Sequence, residues 1–191
     1  MPRCIPDFTD EGLLPPGDYE VTFDQLRASV LVHGLNESSP WYEGWNATWR
    51  EDLTFRAESM CQQLWAVGVD EIFLNGSFVE AKAHPNDIDG YFSCDVRRVA
   101  TGELQRSLNQ IDPRRYWTWD PSSRRPYRGY AKRQLPMWHA YRVELYPHYH
   151  QLSGITDERG YALTFPSAFR QRRSDGRPKG IVKVVPEGPQ N

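Results

Sequence analysis

The chain has 191 residues, 39% of them hydrophobic and 25% charged, with a formal net charge of −2. That size and composition suit one soluble globular domain with a real core, with no segment long enough to span a membrane and no net charge for bulk adhesion to nucleic acid. Cys4, Cys61 and Cys94 are odd in number and widely spaced, and the start MPRCIPDFTDEG lacks the apolar run of a signal peptide. Reduced thiols in a cytoplasmic protein are therefore expected, and the glycosylation patterns at Asn36 and Asn46 carry no weight without secretion.

Residues 1–21 are rich in proline and glycine and predict an extended lead-in, with a turn at Leu13-Leu14-Pro15-Pro16-Gly17. Thr22 and Gln25 form a capping box for a helix with Phe23, Leu26 and Val30 on one face and Gly34 at its end. Residues 36–46 read as a loop whose Trp41, Tyr42 and Trp45 cover the core rather than stack on bases. Trp49, Leu53, Ala57, Met60, Leu64 and Val67 recur at helical spacing, which predicts a buried helix over 48–67 stopped by Gly68. A strand over 69–74 follows.

Residues 74–92, LNGSFVEAKAHPNDIDGYF, carry the chemistry. The strand ends in Asn75-Gly76-Ser77, and nine residues separate Ser77 from Asp87. Residues two apart in a strand share a face, so Asp87 and Asp89 present two carboxylates side by side. Such a pair raises its own pKa values and stays ionised most readily around a cation, and hard oxygen donors suit Mg²⁺ or Mn²⁺. Gly76 allows a tight turn, and Ser77 is expected to cap a short helix whose free N–H groups hold a phosphate. Lys82, in the passage between, is a phosphate contact or a solvated lysine. An EF-hand loop is excluded, because Gly90 directly follows the second acidic position.

Residues 97–110 predict a helix burying Val99, Leu104, Leu108 and Ile111. From residue 112 to 142 eight basic residues stand against two acidic ones, interleaved with Tyr116, Trp117, Trp119, Tyr127 and Tyr130. This stretch suits an anionic ligand and stacked bases, or forms a stabilised surface excursion. Residues 139–146 alternate as a strand, with Tyr141, Val143 and Leu145 on one side and Arg142, Glu144 and Tyr146 on the other. His148 and His150 beyond it read as surface or hydrogen-bonded residues. Residues 169–185 predict a β-hairpin around Ser174-Asp175-Gly176.

A strand, Gly-Ser, a short helix and an Asp-x-Asp strand together resemble the polymerase-β-like nucleotidyltransferase superfamily. The early LPPG and the late RPKGIVKV also resemble an uncharacterised bacterial and phage branch of it. The resemblance implies an α/β (α+β) fold, a short, mixed, twisted sheet flanked by helices. It also implies one domain spanning 1–191, with a lead-in and helix over 1–47, a catalytic core over 48–150 and a hairpin extension over 151–191. By the same resemblance Gly76, Ser77 and Lys82 bind the nucleotide, Asp87 and Asp89 hold Mg²⁺ or Mn²⁺, and Glu144 is the third metal carboxylate. Family members more often carry Asp at that third position. The implied reaction moves a nucleoside monophosphate from an NTP to a hydroxyl of RNA or protein. The implied settings include toxins, with an antitoxin as partner, and phage defence. The alternative is a catalytically silent nucleotide- or RNA-binding module, or an accessory protein.

Overall fold

The computed structural model describes residues 5–35 and 39–188; Cys4 and the Asn36 sequon lie outside them. Within the expected lead-in, strict alternation buries Tyr19 and Val21 and exposes Asp18 and Glu20, so that Asp18–Val21 forms a strand (β1). The capping box at Thr22 is present, but it opens only Phe23–Arg27 (α1). Val30–His33 (α2) is a separate turn. The single expected helix breaks because the Ser29 hydroxyl donates to Leu26 O and accepts from Leu31 N, competing with the helical ladder.

The long helix Ala47–Ala66 (α3) starts at Asn46, whose side chain accepts from Trp49 N, and stops before Gly68 at φ 78°. Its buried side carries Leu53, Ala57, Met60 and Leu64, as the spacing requires. Then come Ile72–Asn75 (β2), the 3-10 turn Gly76–Val79, and Ile88–Ser93 (β3). The helix expected over 97–110 is divided into Val96–Ala100 (α4) and Glu103–Ile111 (α5) by Gly102 at φ 69°. Leu104 and Leu108 are buried; Ile111 closes the last turn and is 43% exposed.

The start of the strand expected over 139–146 is instead a helix, Pro136–Tyr141 (α6). Pro136 fixes its first turn and Arg142, at φ 56°, ends it, so that the strand proper is Val143–His148 (β4). Leu152–Thr156 (β5) and Ala162–Thr164 (β6) pair as an antiparallel ribbon, followed by Phe165–Phe169 (α7). Of the expected hairpin over 169–185 the turn exists, with Arg172 N donating to Arg177 O. Its first arm makes only a bridge between Gln171 and Pro178. The second arm, Ile181–Val184 (β7), leaves that arm for the main sheet.

The architecture is α+β, a five-stranded mixed sheet in the order β1-β7-β2-β3-β4 with the two-stranded ribbon beside it. β7 runs parallel to β1 and antiparallel to β2, while β3 is antiparallel to β2 and parallel to β4. The segment expected as an extension thus supplies an inner strand, and one apolar core runs from Leu14 through α3 to Val184. Trp117 and Trp138, from the basic and aromatic stretch, are fully buried. Among the described residues no helix is long and apolar enough to cross a membrane.

Candidate functional site

Sheet register brings the predicted acids together. Asn75 is opposite Asp89, and Asp89 is opposite Glu144, across the neighbouring strands β2, β3 and β4. Asp87 stands just before β3. Gly90 occupies the middle of β3 because the strands close tightly there; a Cβ would lie 2.3 Å from Phe73 O. Gly76, at φ 74°, turns the chain directly over Asp89, and a Cβ on it would lie 2.8 Å from the Asp89 Oδ2. Only glycine fits both the left-handed backbone and that approach.

Ser77 does not cap a helix. Asn75 does so, accepting from Gly76 N at 2.6 Å, and the turn it caps is only the four residues Gly76–Val79. The side-chain oxygen of Asn75 has taken the first free N–H, and so short a turn has little dipole to offer a phosphate. Positive charge comes instead from side chains. Lys179 is buried, donating to Gly76 O at 2.9 Å and to Glu80 Oε1 at 2.5 Å. Burial lowers its pKa, while Glu80 and then Asp89 act in the opposite direction.

The three carboxylates differ sharply in their partners. Asp87 accepts from Trp138 Nε1 at 2.7 Å. Burial raises the Asp87 pKa and Glu144 adds to it, against the Trp138 hydrogen bond and the charges of Lys82 and Arg142. Glu144 accepts from Leu135 N at 3.1 Å, from Arg124 at 3.4 Å and from the Tyr146 hydroxyl. Asp89 accepts from no donor among the described residues. Burial, then Asp87 and Glu144, push it up from 3.8 to about 7, with Lys179 and Arg173 acting against them. Asp87 and Asp89 are thus two hard oxygen ligands, one oriented by an indole and one without a protein donor. Among the described residues, no group of three or more acidic, histidine or cysteine side chains stands in metal-holding geometry. Glu144, though beside Asp89 in register, is turned to its own hydrogen bonds.

Two clefts meet at the aspartates. The first, of about 380 Å³, is lined by Gly76, Ser77, Lys82, Arg172, Arg173 and Lys179. The second, of about 750 Å³, is lined by Glu144, Arg124, Lys132, Arg133 and Tyr146. Asp87, Asp89, Arg173, Ile155 and Phe169 line both. The residues predicted as one site, Gly76, Ser77, Lys82, Asp87 and Asp89, do share one cleft; Glu144 lies in the other. A family model described as a family of unknown function (DUF6932) matches residues 6–185. The chain belongs to that family. No curated protein and no solved structure matches it.

Sequence reasoning missed Trp138, Lys179 and Arg173, all brought to the acids from later in the chain. It also missed Arg50, which is wholly buried and donates to the carbonyls of Leu31, Phe78, Glu80 and Lys82. A signal for Arg50 was present: it stands three residues before Leu53 and seven before Ala57, on the apolar stripe of α3, where a charge demands internal partners.

Proposed function

We propose that the protein is a divalent-metal-dependent nucleotidyltransferase. The observation that carries the reading is the Asp87–Asp89 pair under the Gly76 turn, at the junction of a cation-lined cleft with a second one. Structural acids acquire donors, whereas Asp89 is held near 7 without one. Two carboxylates without a third match Mg²⁺ or Mn²⁺, which takes one or two protein carboxylates plus the oxygens of a substrate phosphate. Bound there, the ion supplies charge neutralisation for phosphoryl-type transfer.

The chain's own residues do the rest. Ser77, Lys82, Arg173 and Lys179 receive the triphosphate in the first cleft, where Lys179 also fixes the Gly76 carbonyl. Trp138 holds Asp87 in one orientation. An acceptor hydroxyl in the second cleft attacks the α-phosphorus. A new oxygen–phosphorus bond forms, the bond to the β-bridging oxygen breaks, and pyrophosphate leaves with the electron pair. The hydroxyl proton passes to a site carboxylate, Asp89 being the one without a protein donor. A cytoplasmic setting and a role in a toxin or phage-defence system belong to the same proposal.

The test is incubation of the purified protein with each radiolabelled NTP, Mg²⁺ or Mn²⁺, and total RNA or lysate. Label joined covalently to an acceptor and lost in Asp87→Asn is the expected result. Nucleotide binding without any transfer would favour the silent binding module.

A further inference from the structure

The second cleft carries two cations that nucleotide binding in the first does not use, Lys132 and Arg133, beside Arg173, which the two clefts share. Lys132, Arg133 and Arg173 line it, are exposed, and make no ion pair with any described residue. Arg124 is shared between Glu144 at 3.4 Å and the Tyr146 hydroxyl at 3.0 Å. Glu144 and the two aspartates also line it, as do Tyr146, Phe165 and Phe169; Phe165 is buried and stacked on Tyr146 at 5.3 Å between ring centroids, which leaves the half-buried Phe169 outside that stack. A cleft for a neutral hydroxyl has no use for Lys132 and Arg133, two exposed cations at its rim without an ion-pair partner among the described residues. Cations along the rim with one half-buried ring, Phe169, beside them suit a sugar-phosphate chain, because the charges neutralise phosphates and an aromatic ring can stack with a base.

We infer that the second cleft holds the end of a single-stranded nucleic acid, with its backbone phosphates on Lys132, Arg133 and Arg173 and its terminal hydroxyl toward Asp87 and Asp89. Naming that strand the acceptor rests on the transferase reading; its binding does not. Arg173, which lines both clefts, lies between the triphosphate and the strand. The basic stretch then divides by role. Arg114 and Arg142 are structural, Arg114 bonded to Asp112 and Tyr141 and Arg142 lying 4.0 Å over the Trp138 ring, while Lys132 and Arg133 face the cleft.

The experiment is fluorescence anisotropy with labelled single strands of roughly 12 nucleotides, one RNA and one DNA of the same sequence. It uses the full chain at low salt without NTP. Lys132→Glu/Arg133→Glu changes only exposed side chains, and Arg97→Glu/Arg106→Glu, at exposed residues that line neither cleft, is its charge-matched control. Wild type and control are expected to bind alike, and the cleft variant about tenfold or more weakly, with a salt slope shallower by roughly 1.4 for two lost phosphate contacts. Preference for RNA, for DNA, or for neither identifies the strand, and each supports the site. No binding of either strand by wild type, equal affinity in the cleft variant, or equally tight binding of polyglutamate overturns it. Transfer is read separately. Strand binding as described, with no label incorporated from any NTP, leaves this site standing and removes the transferase reading. Label joined to protein at an unchanged rate in the cleft variant keeps the transferase reading and removes the strand's role as acceptor.

Discussion

Asp89 has an environment that a purely structural carboxylate rarely has, half-buried beneath a glycine and beside two other acids, without a donor among the described residues. The Gly76 position follows from it. Gly76→Ala places a methyl group within reach of the Asp89 oxygen on a backbone at φ 74°, a conformation that costs an L-residue about 1–2 kcal/mol before any clash. It is expected to destabilise the fold by at least that much in a urea titration and to abolish transfer; a stability equal to wild type would show that the turn can open. Trp138 acts on Asp87 through one hydrogen bond of 2.7 Å that favours the charged carboxylate. Trp138→Phe keeps an aromatic ring beneath Arg142 and removes that bond. The Asp87 pKa should rise further, so the acid limb of the pH–rate profile is expected to move to higher pH. An unmoved limb with a merely lowered rate would assign Trp138 to packing alone.

At the level of elements, Arg50 ties the site to the core. From the middle of the molecule it binds four carbonyls, two of them, Glu80 and Lys82, on the segment that leads from the Gly-Ser turn to the aspartates. Hydrogen bonds from a charged donor are worth roughly 1.5–3 kcal/mol each, and carbonyls left buried and unpaired add to the loss. Arg50→Met is therefore expected to lower stability by at least about 3 kcal/mol. The milder Arg50→Lys should weaken nucleotide binding more than it weakens the fold; equal losses in both would make Arg50 a core residue only. The same elements show what the chain disclosed in advance. The helix α3 was legible because its apolar stripe repeats over five turns, and β2 and β3 because a motif lies between them. The divisions at Ser29 and Gly102 were hidden, since a local side-chain hydrogen bond or one left-handed residue overrides a continuing apolar pattern. Residues 139–141 continue the alternation read over 139–146, and Pro136 with the φ of Arg142 assigns them to a helix instead.

At the level of the whole molecule, β1 and β7 come from opposite ends of the chain and pair in parallel, a contact no local pattern announces. The same long-range closure brings Lys179 and Arg173 to the acids, which is why Gly76, Ser77, Asp87 and Asp89 were readable from one stretch and their cationic surroundings were not. Glu144 was correctly placed beside Asp89, but its commitment to Arg124, Leu135 and Tyr146 depends on residues that no spacing relates. Charge within this sheet also sets the pH response. The folded pKa of Asp89, about 7, lies above its value of 3.8 in an unfolded chain, so between those limits the folded state binds the extra proton. Without metal, stability should fall as pH rises from about 4 to about 7, and Asp89→Asn should remove much of that slope; an identical slope in the variant would place the titration elsewhere. The central claim, that Asp87 and Asp89 hold the cation of a bound nucleotide, is tested most directly by thermal melting of wild type and Asp89→Asn, each with and without Mg²⁺ and each NTP. Ligand that binds only the folded state stabilises it by mass action, about 2.7 kcal/mol at 100 times Kd. The account predicts that without ligand Asp89→Asn melts at or above wild type, because an amide relieves the repulsion, and that Mg²⁺ with nucleotide raises wild type far more than the variant. Equal ligand-induced shifts in the two proteins would contradict it.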